Sequence, residues 1–225
     1  MNLSAHYNKL YQESAAKIAG GDYEIDQLID AQDDYRFGIT LVIRPDEITK
    51  AKIQHFLDEV KAIDPDQYYY QNSDLHITVM SIISCYTGFN LQQINVQDYV
   101  KLIEQILTKY QSFKIQFKGL TASPSCILLQ GFLTDSLNEI RDDLRVGFQS
   151  SDLQQSIDKR YAIQTAHSTI VRFRQKLNDK NKLVQVLEKY RDFDFGTFEV
   201  KEIELVFNDW YQREKFVKKL HHFKL

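Results

Sequence analysis

The sequence predicts an α+β protein of two lobes, with antiparallel-rich sheets facing each other, helices on the outside and an extra helix at the N-terminus. Three observations carry this expectation. Short β-branched runs alternate with segments of helical periodicity over most of the 225 residues. The alternation falls into two comparable halves, and each half holds a His-x-Thr sequence within an apolar, strand-like stretch. No Pro/Gly/Ser-rich linker parts the halves, so residues 36–225 read as one bilobal domain and residues 1–35 as a helical extension.

Residues 1–20 predict a helix, with Leu3, Tyr7, Leu10, Ser14 and Ile18 near one stripe and Gly20-Gly21 ending it. A polar stretch follows to Tyr35. Arg36–Arg44 (RFGITLVIR) is a β-branched strand stopped by Pro45. Asp46 caps a helix to about Ile63, carried by Ile53, Phe56, Leu57 and Val60, and Asp64-Pro65 breaks it. Tyr68–Ile83 is strand-like throughout. Tyr99, Leu102, Ile103, Ile106 and Leu107 mark a helix over 97–110. FKIQFKGL (113–120) and SCILLQGFL (125–133) form a hairpin around Pro124. A helix over 135–148, a strand over 161–174, a helix over 179–190 and two strand-like segments near 195–207 and 214–225 complete the chain.

Composition narrows the partners. Hydrophobic residues at 43% and charged residues at 26% fit a globular protein rather than a disordered one. A formal net charge of −3 opposes a broad nucleic-acid-coating surface, which needs many cations to neutralise phosphates. Any nucleic-acid contact is therefore expected in a local pocket. Cys85 and Cys126 are too few for a disulfide framework and read as buried, reduced thiols. No signal-like or membrane-length apolar run occurs, which predicts a cytoplasmic protein with no membrane partner. Oligomeric state is not legible.

The chemistry concentrates in His76-Ile77-Thr78-Val79 and His167-Ser168-Thr169-Ile170. Side chains on a strand alternate faces, so each histidine and the threonine two places on point the same way, while Leu75, Ile77 and Val79 anchor the opposite face. One such sequence is ordinary packing; two, on corresponding strands, imply a shared task. Cleaving a phosphodiester needs a base for the attacking oxygen and an acid for the leaving one. Imidazole, with an ordinary pKa near ~6.5, serves in either role. His76 and His167 are thus the candidate acid–base pair. Thr78 and Thr169 are the candidate donors to the non-bridging phosphate oxygens.

Other residues carry weaker signals. Tyr68-Tyr69-Tyr70 and Tyr161 precede the motifs and can stack a base or fill the core. Lys159-Arg160, Arg172 and Arg174 flank the second motif. Arg172 and Arg174 share the parity of Ser168, which predicts solvated strand-edge charge. His221 and His222 face opposite ways on a strand and, with no ligand-spaced acid in sequence, read as surface residues, as do His6 and His55. Trp210 is either a lid or core. The absence of GxGxxG, GxxxxGK[ST] and GxSxG removes dinucleotide, P-loop and serine-hydrolase readings as first choices.

Paired HxTx strands, one per lobe, resemble those of the two-histidine (2H) phosphoesterase superfamily, which includes 2′-5′ RNA ligase-like proteins and cyclic phosphodiesterases. The resemblance spans roughly residues 36–225 and includes FGITLVI, FKGLTASPSCILLQGFL and EIELVF; residues 1–35 have no counterpart in it. It implies a cleft between lobes, His76 and His167 as acid and base in an order left open, and phosphate-binding Thr78 and Thr169. It also implies no metal or other cofactor, and a nucleotide or RNA-end substrate. The implied reaction is opening of a 2′,3′-cyclic phosphate or cleavage of a 2′-5′ linkage. End-joining, or nucleotide binding without catalysis, uses the same cleft. Ser168 departs from the apolar residue that the superfamily favours between histidine and threonine.

Overall fold

The computed structural model describes residues 2–133 and 135–225; Met1, the start of the first expected helix, lies outside them. Helices α1 (Leu3–Gly20), α2 (Glu47–Lys61), α3 (Val96–Leu107), α4 (Ser136–Gln149) and α5 (Lys180–Lys189) surround two sheets. Strands β1 (Arg36–Ile43), β3 (Ile77–Thr87), β8 (Glu202–Asp209) and β9 (Lys218–Lys224) form one sheet in the order β3-β1-β8-β9. Strands β2 (Tyr68–Tyr69), β4 (Phe113–Ser123), β5 (Cys126–Leu133), β6 (Ser168–Arg172) and β7 (Asp194–Val200) form the other, in the order β2-β6-β5-β4-β7. Every pairing is antiparallel.

The helices follow local chemistry. The side chains of Asn2, Asp46, Asn95 and Asp179 accept from first-turn amides that have no partner within the helix, in α1, α2, α3 and α5. Gly21, left-handed at φ 91°, closes α1 on the carbonyls of Lys17 and Ile18. The buried stripe of α1 is Tyr7, Tyr11, Ser14 and Ile18, so Tyr11 takes the place expected of Leu10. This helix lies on β4 and α5, where the Thr121 hydroxyl donates to the Tyr7 carbonyl and the Tyr11 hydroxyl to Glu188 at 2.6 Å.

The two sheets are not the two halves of the chain. The C-terminal segments expected as two strands are three, and β8 returns to pair with β1, so the first sheet is built from both ends of the sequence. The stretch expected as one strand over 68–83 is broken by a turn. Asp74 and Leu75 amides bond the Gln71 carbonyl, and this lets β2 cross to pair with β6 in the opposite sheet. The expected 161–174 strand shrinks to β6, with residues 161–167 irregular. Strand exchange of this kind ties the lobes together.

β3 has bulges. Leu41 pairs with Met80 but Val42 with Thr78, and Thr40 pairs with Ser81 but Ile39 with Ile83. Each extra residue resets the alternation, so the less buried positions recur at Thr78, Ser81 and Ser84 rather than at every second residue. β6 is bulged as well: Leu128 pairs with Thr169 but Ile127 with Val171. That bulge turns Arg172 to the face of Thr169.

Candidate active site

One cleft between the sheets is lined by His76, Thr78, His167 and Thr169, the four residues singled out in sequence, together with Arg172 and Tyr70. His76 and His167 sit at the last position before β3 and β6, where the irregular segments that lead into them set the ring orientation. Leu75, Ile77 and Val79 are fully buried and anchor the first segment, as the alternation predicts. Ser168 is buried too, and its hydroxyl finds no partner among the described residues.

Each ring is held through Nδ1. His76 Nδ1 lies 2.7 Å from the Asp74 carbonyl, which only accepts, so that nitrogen carries a proton and the neutral ring keeps a bare Nε2. The turn supplying that carbonyl is itself fixed. Arg44 donates to the Ser73 carbonyl at 2.6 Å and to Glu204 at 2.8 Å, and the Glu214 amide donates to the Asp74 carboxylate at 3.0 Å. His167 Nδ1 lies 2.7 Å from the Thr165 hydroxyl, which donates or accepts and so tolerates either protonation state.

Arg141 on α4 joins the two motifs. Its side chain is fully buried, and Nε donates to the Val79 carbonyl at 3.0 Å. Its Nη2 donates to the carbonyls of Thr78 at 2.8 Å and Thr165 at 2.9 Å. Burial, then repulsion from Arg145, lowers its pKa to about 10, so it stays charged at neutral pH. The segment before His167 is braced from the other side by Gly131. A side chain there would collide with the Ala166 carbonyl, a clash that would displace the histidine beside it.

The imidazoles are hard to protonate in the free protein. Burial pushes His76 down to about 4, with Arg44, His167 and Arg172 adding repulsion against a partial gain from the Asp74 carbonyl. Burial also pushes His167 down to about 4, with Arg141, His6 and Arg172 adding to it. Arg44, Arg141 and Arg172 thus set positive potential around the two rings.

Arg172 corrects an expectation. It is not solvated edge charge: Nε donates to the Tyr70 hydroxyl at 3.0 Å, Nη1 lies 3.5 Å from Asp26, and the guanidinium lines the cleft. The β6 bulge, invisible to simple parity, is the cause. Arg160 also lines the cleft, its guanidinium 4.2 Å from the Trp210 ring centroid, while Arg174 pairs with Asp30 at the surface. Tyr70 and the exposed Tyr161 line the cleft; the Tyr69 hydroxyl instead donates to the Asp64 carbonyl. Trp210 is a cleft wall, with Arg36 at 4.7 Å on its ring. Sequence reading missed Thr40, Ser81, Ser84, Asn208 and Gln212, which also line the cleft.

Of the two cysteines, both free, Cys126 is buried as expected, but Cys85 is only half-buried on the cleft wall. Burial, then Asp209, pushes its thiol up to about 12, away from the thiolate. His222 is exposed, as expected of a surface residue, but the β8–β9 register sets Glu204 opposite it, with Glu202 close by, an acid pairing that spacing in sequence did not show. Glu204 already pairs with Arg44 and Lys219, each at 2.8 Å, which spends the charge a cation would need.

The sequence-family model of the AKAP7 2'5' RNA ligase-like domain matches residues 35–225. The chain belongs to this family, within the two-histidine phosphoesterase superfamily. No curated protein matches the sequence. Among solved structures, TT0787 of Thermus thermophilus is similar with a TM-score of 0.63 at 14% identity, over 83% of this chain and 97% of that one. E. coli LigT complexed with phosphate gives a TM-score of 0.56 at 12% identity, over 85% and 98%. LigT complexed with 3'-AMP gives 0.55 at 12%, over 84% and 98%. These likenesses establish the α+β fold with two antiparallel sheets. Family membership supports a phosphoesterase or 2′-5′ ligase-like activity. Among the described residues no helix is long and apolar enough to cross a membrane.

Proposed function

We propose that this AKAP7 2'5' RNA ligase-like domain hydrolyses a 2′,3′-cyclic phosphate, a 2′-5′ linkage or a related phosphodiester on a nucleotide or RNA end. The observation that carries the reading is the meeting of His76, Thr78, His167, Thr169 and Arg172 in one cleft drawn from both sheets. A phosphoryl group held there is flanked by two imidazoles, as an in-line displacement requires. His76, with its Nδ1 proton committed to Asp74, offers the bare Nε2 of a base. His167, with an adaptable hydroxyl partner, carries the proton for the leaving oxygen. Thr78, Thr169 and Arg172 hold the charge that builds on the non-bridging oxygens.

The cleft lining of Tyr70, Tyr161, Trp210 and Arg160 offers aromatic and basic partners to a nucleotide. The similar LigT structures are complexed with 3'-AMP, ATP, NADP+ and phosphate, which agrees with nucleotide recognition here. Both acid and base come from the chain itself, so the reaction proceeds with EDTA present.

The test is a panel of 2′,3′-cyclic nucleotides and 2′-5′ and 3′-5′ dinucleotides, incubated with the purified chain and EDTA. Turnover of at least one 2′,3′-cyclic or 2′-5′ substrate is expected. Ligated product from cyclic-phosphate ends would move the assignment to end-joining. Binding without any turnover would make the cleft a recognition module.

A further inference from the structure

Helix α1 lies outside the family's residues 35–225, yet it reaches the second histidine through Tyr7. The Tyr7 side chain is 1% exposed, and its ring packs edge-on against Phe132 at 5.6 Å. Its hydroxyl meets Gly131 of β5 twice, donating to the carbonyl at 3.2 Å and accepting from the amide at 3.3 Å. Gly131 stands two residues past Leu129, the last residue of β5 to pair with β6, and a Cβ there would strike the Ala166 carbonyl. Tyr7 thus sits where the sheet gives way to the irregular segment that carries His167. The helix is pinned on this spot. Arg191 lies 3.8 Å from the Tyr11 ring centroid and donates to Asn8 at 2.6 Å.

Thr165 completes the chain to the imidazole. Burial pushes the Tyr7 phenol up to about 12, opposed by the Gly131 amide, the Thr165 hydroxyl, the Arg141 charge and the Ala166 backbone. The Thr165 hydroxyl therefore stands beside the phenol oxygen, and it also lies 2.7 Å from His167 Nδ1.

A hydroxyl has a single proton to give. That of Tyr7 goes to the Gly131 carbonyl, which only accepts, so toward Thr165 the phenol oxygen offers lone pairs alone. The Thr165 proton then points to Tyr7, and toward His167 Thr165 offers lone pairs in turn. Thr165 by itself could serve Nδ1 either way; the phenol settles the direction. Nδ1 carries the proton, and the neutral ring keeps Nε2 bare.

The consequence is chemical. An imidazolium that gives its Nε2 proton to a leaving oxygen ends protonated at Nδ1 alone. With Thr165 fixed as an acceptor, one hydrogen bond serves the ring before and after that transfer, and nothing has to reorient as the proton moves.

We propose that Tyr7 is a positioning residue that, through Thr165, fixes a proton on Nδ1 of His167 and leaves Nε2 for the substrate. The proposal deepens the acid role given to His167 and rests on that reading for its effect on turnover, but not for its effect on the ring.

The test uses the full chain labelled with 15N. Burial, with repulsion from Arg141, His6 and Arg172, pushes His167 down to about 4, so at neutral pH the ring is uncharged. Ring 15N shifts then tell a bare nitrogen from a protonated one, and wild-type His167 is expected to be protonated at Nδ1 alone. Tyr7→Phe keeps the aromatic ring and removes the hydroxyl. In it the proton is expected to spread to Nε2 as well, and kcat to fall about tenfold with KM within about twofold. Thr165→Val should do the same, and adding Tyr7→Phe to it should change little, since the phenol acts through the hydroxyl already lost. A wild-type ring protonated at Nε2 overturns the proposal whether or not the variants fold. So does an Nδ1 proton unmoved by Tyr7→Phe. A proton that moves without any change in kcat, or in a chain that turns over nothing, keeps the positioning and removes the acid role of His167.

Discussion

Arg141 donates to the Thr78 carbonyl at 2.8 Å, and the same Nη2 atom donates at 2.9 Å to Thr165, whose hydroxyl meets His167. One buried cation therefore sets both motif segments of the cleft in place, its hydrogen bonds going to backbone carbonyls and its Nη1 without a partner among the described residues. Arg141→Met leaves three strand and loop carbonyls without that donor and is expected to cost about 1–3 kcal/mol in urea unfolding. Arg141→Lys retains the charge but not the fork, and should lower kcat by about tenfold or more while remaining folded. Removing the charge also lifts a repulsion from His167, so in Arg141→Met its imidazole should titrate at higher pH by NMR. An unchanged His167 titration would limit Arg141 to a packing role.

Hydrolysis should follow a bell-shaped pH dependence, because one imidazole must be neutral and the other charged. Both histidines are pushed down to about 4 in the free protein, so the bell for kcat/KM should centre on the acid side of their ordinary value. A bound phosphate anion favours imidazolium and raises its pKa. The alkaline limb of kcat should therefore lie at higher pH than that of kcat/KM. Coincident alkaline limbs, or a rate climbing steadily from pH 5 to 9, would contradict this account.

In the proposed reaction Arg172 brings positive charge to the phosphate without itself transferring a proton. Arg172→Met should raise KM by about tenfold and flatten the dependence of kcat/KM on salt, because a charged hydrogen bond to the anion is lost. Because Arg172 also repels both imidazoliums, its removal should move the optimum of kcat/KM to higher pH. A KM unchanged by the substitution would remove Arg172 from the substrate-binding set.

Ser168 offers a stability test separate from activity. Its hydroxyl is buried and unpartnered, on the face opposite Thr169. Ser168→Ala should raise unfolding stability by about 1 kcal/mol, a shift of a few degrees in Tm, with turnover unchanged. A lower Tm would show that the hydroxyl has a partner.

Much of this was legible because simple periodicity holds where strands are regular. His76 with Thr78, and His167 with Thr169, could be paired by alternation alone, and the apolar stripe of α2 read directly, as did Tyr99, Ile103 and Leu107 of α3. Bulges defeated the same rule a few residues on. Ser81 and Ser84 recur every third residue on β3, and Arg172 crosses to the cleft after the β6 bulge; neither shift leaves a mark in composition. Non-local pairing hid the rest. Asn208, Trp210 and Gln212 reach the cleft because β8 returns beside β1, a register that no local window contains. The crossing of β2 to the second sheet was masked by continuous tyrosines, where a turn at 71–74 separates two strands.

The most direct test of the shared-phosphate account is turnover of a 2′,3′-cyclic nucleotide by the wild type, His76→Ala, His167→Ala and the double variant. Each single substitution should cut kcat at least a hundredfold, and the double should lose little more, because the two rings act on one phosphoryl group as a unit. A single variant that turns over at the wild-type rate would contradict the account.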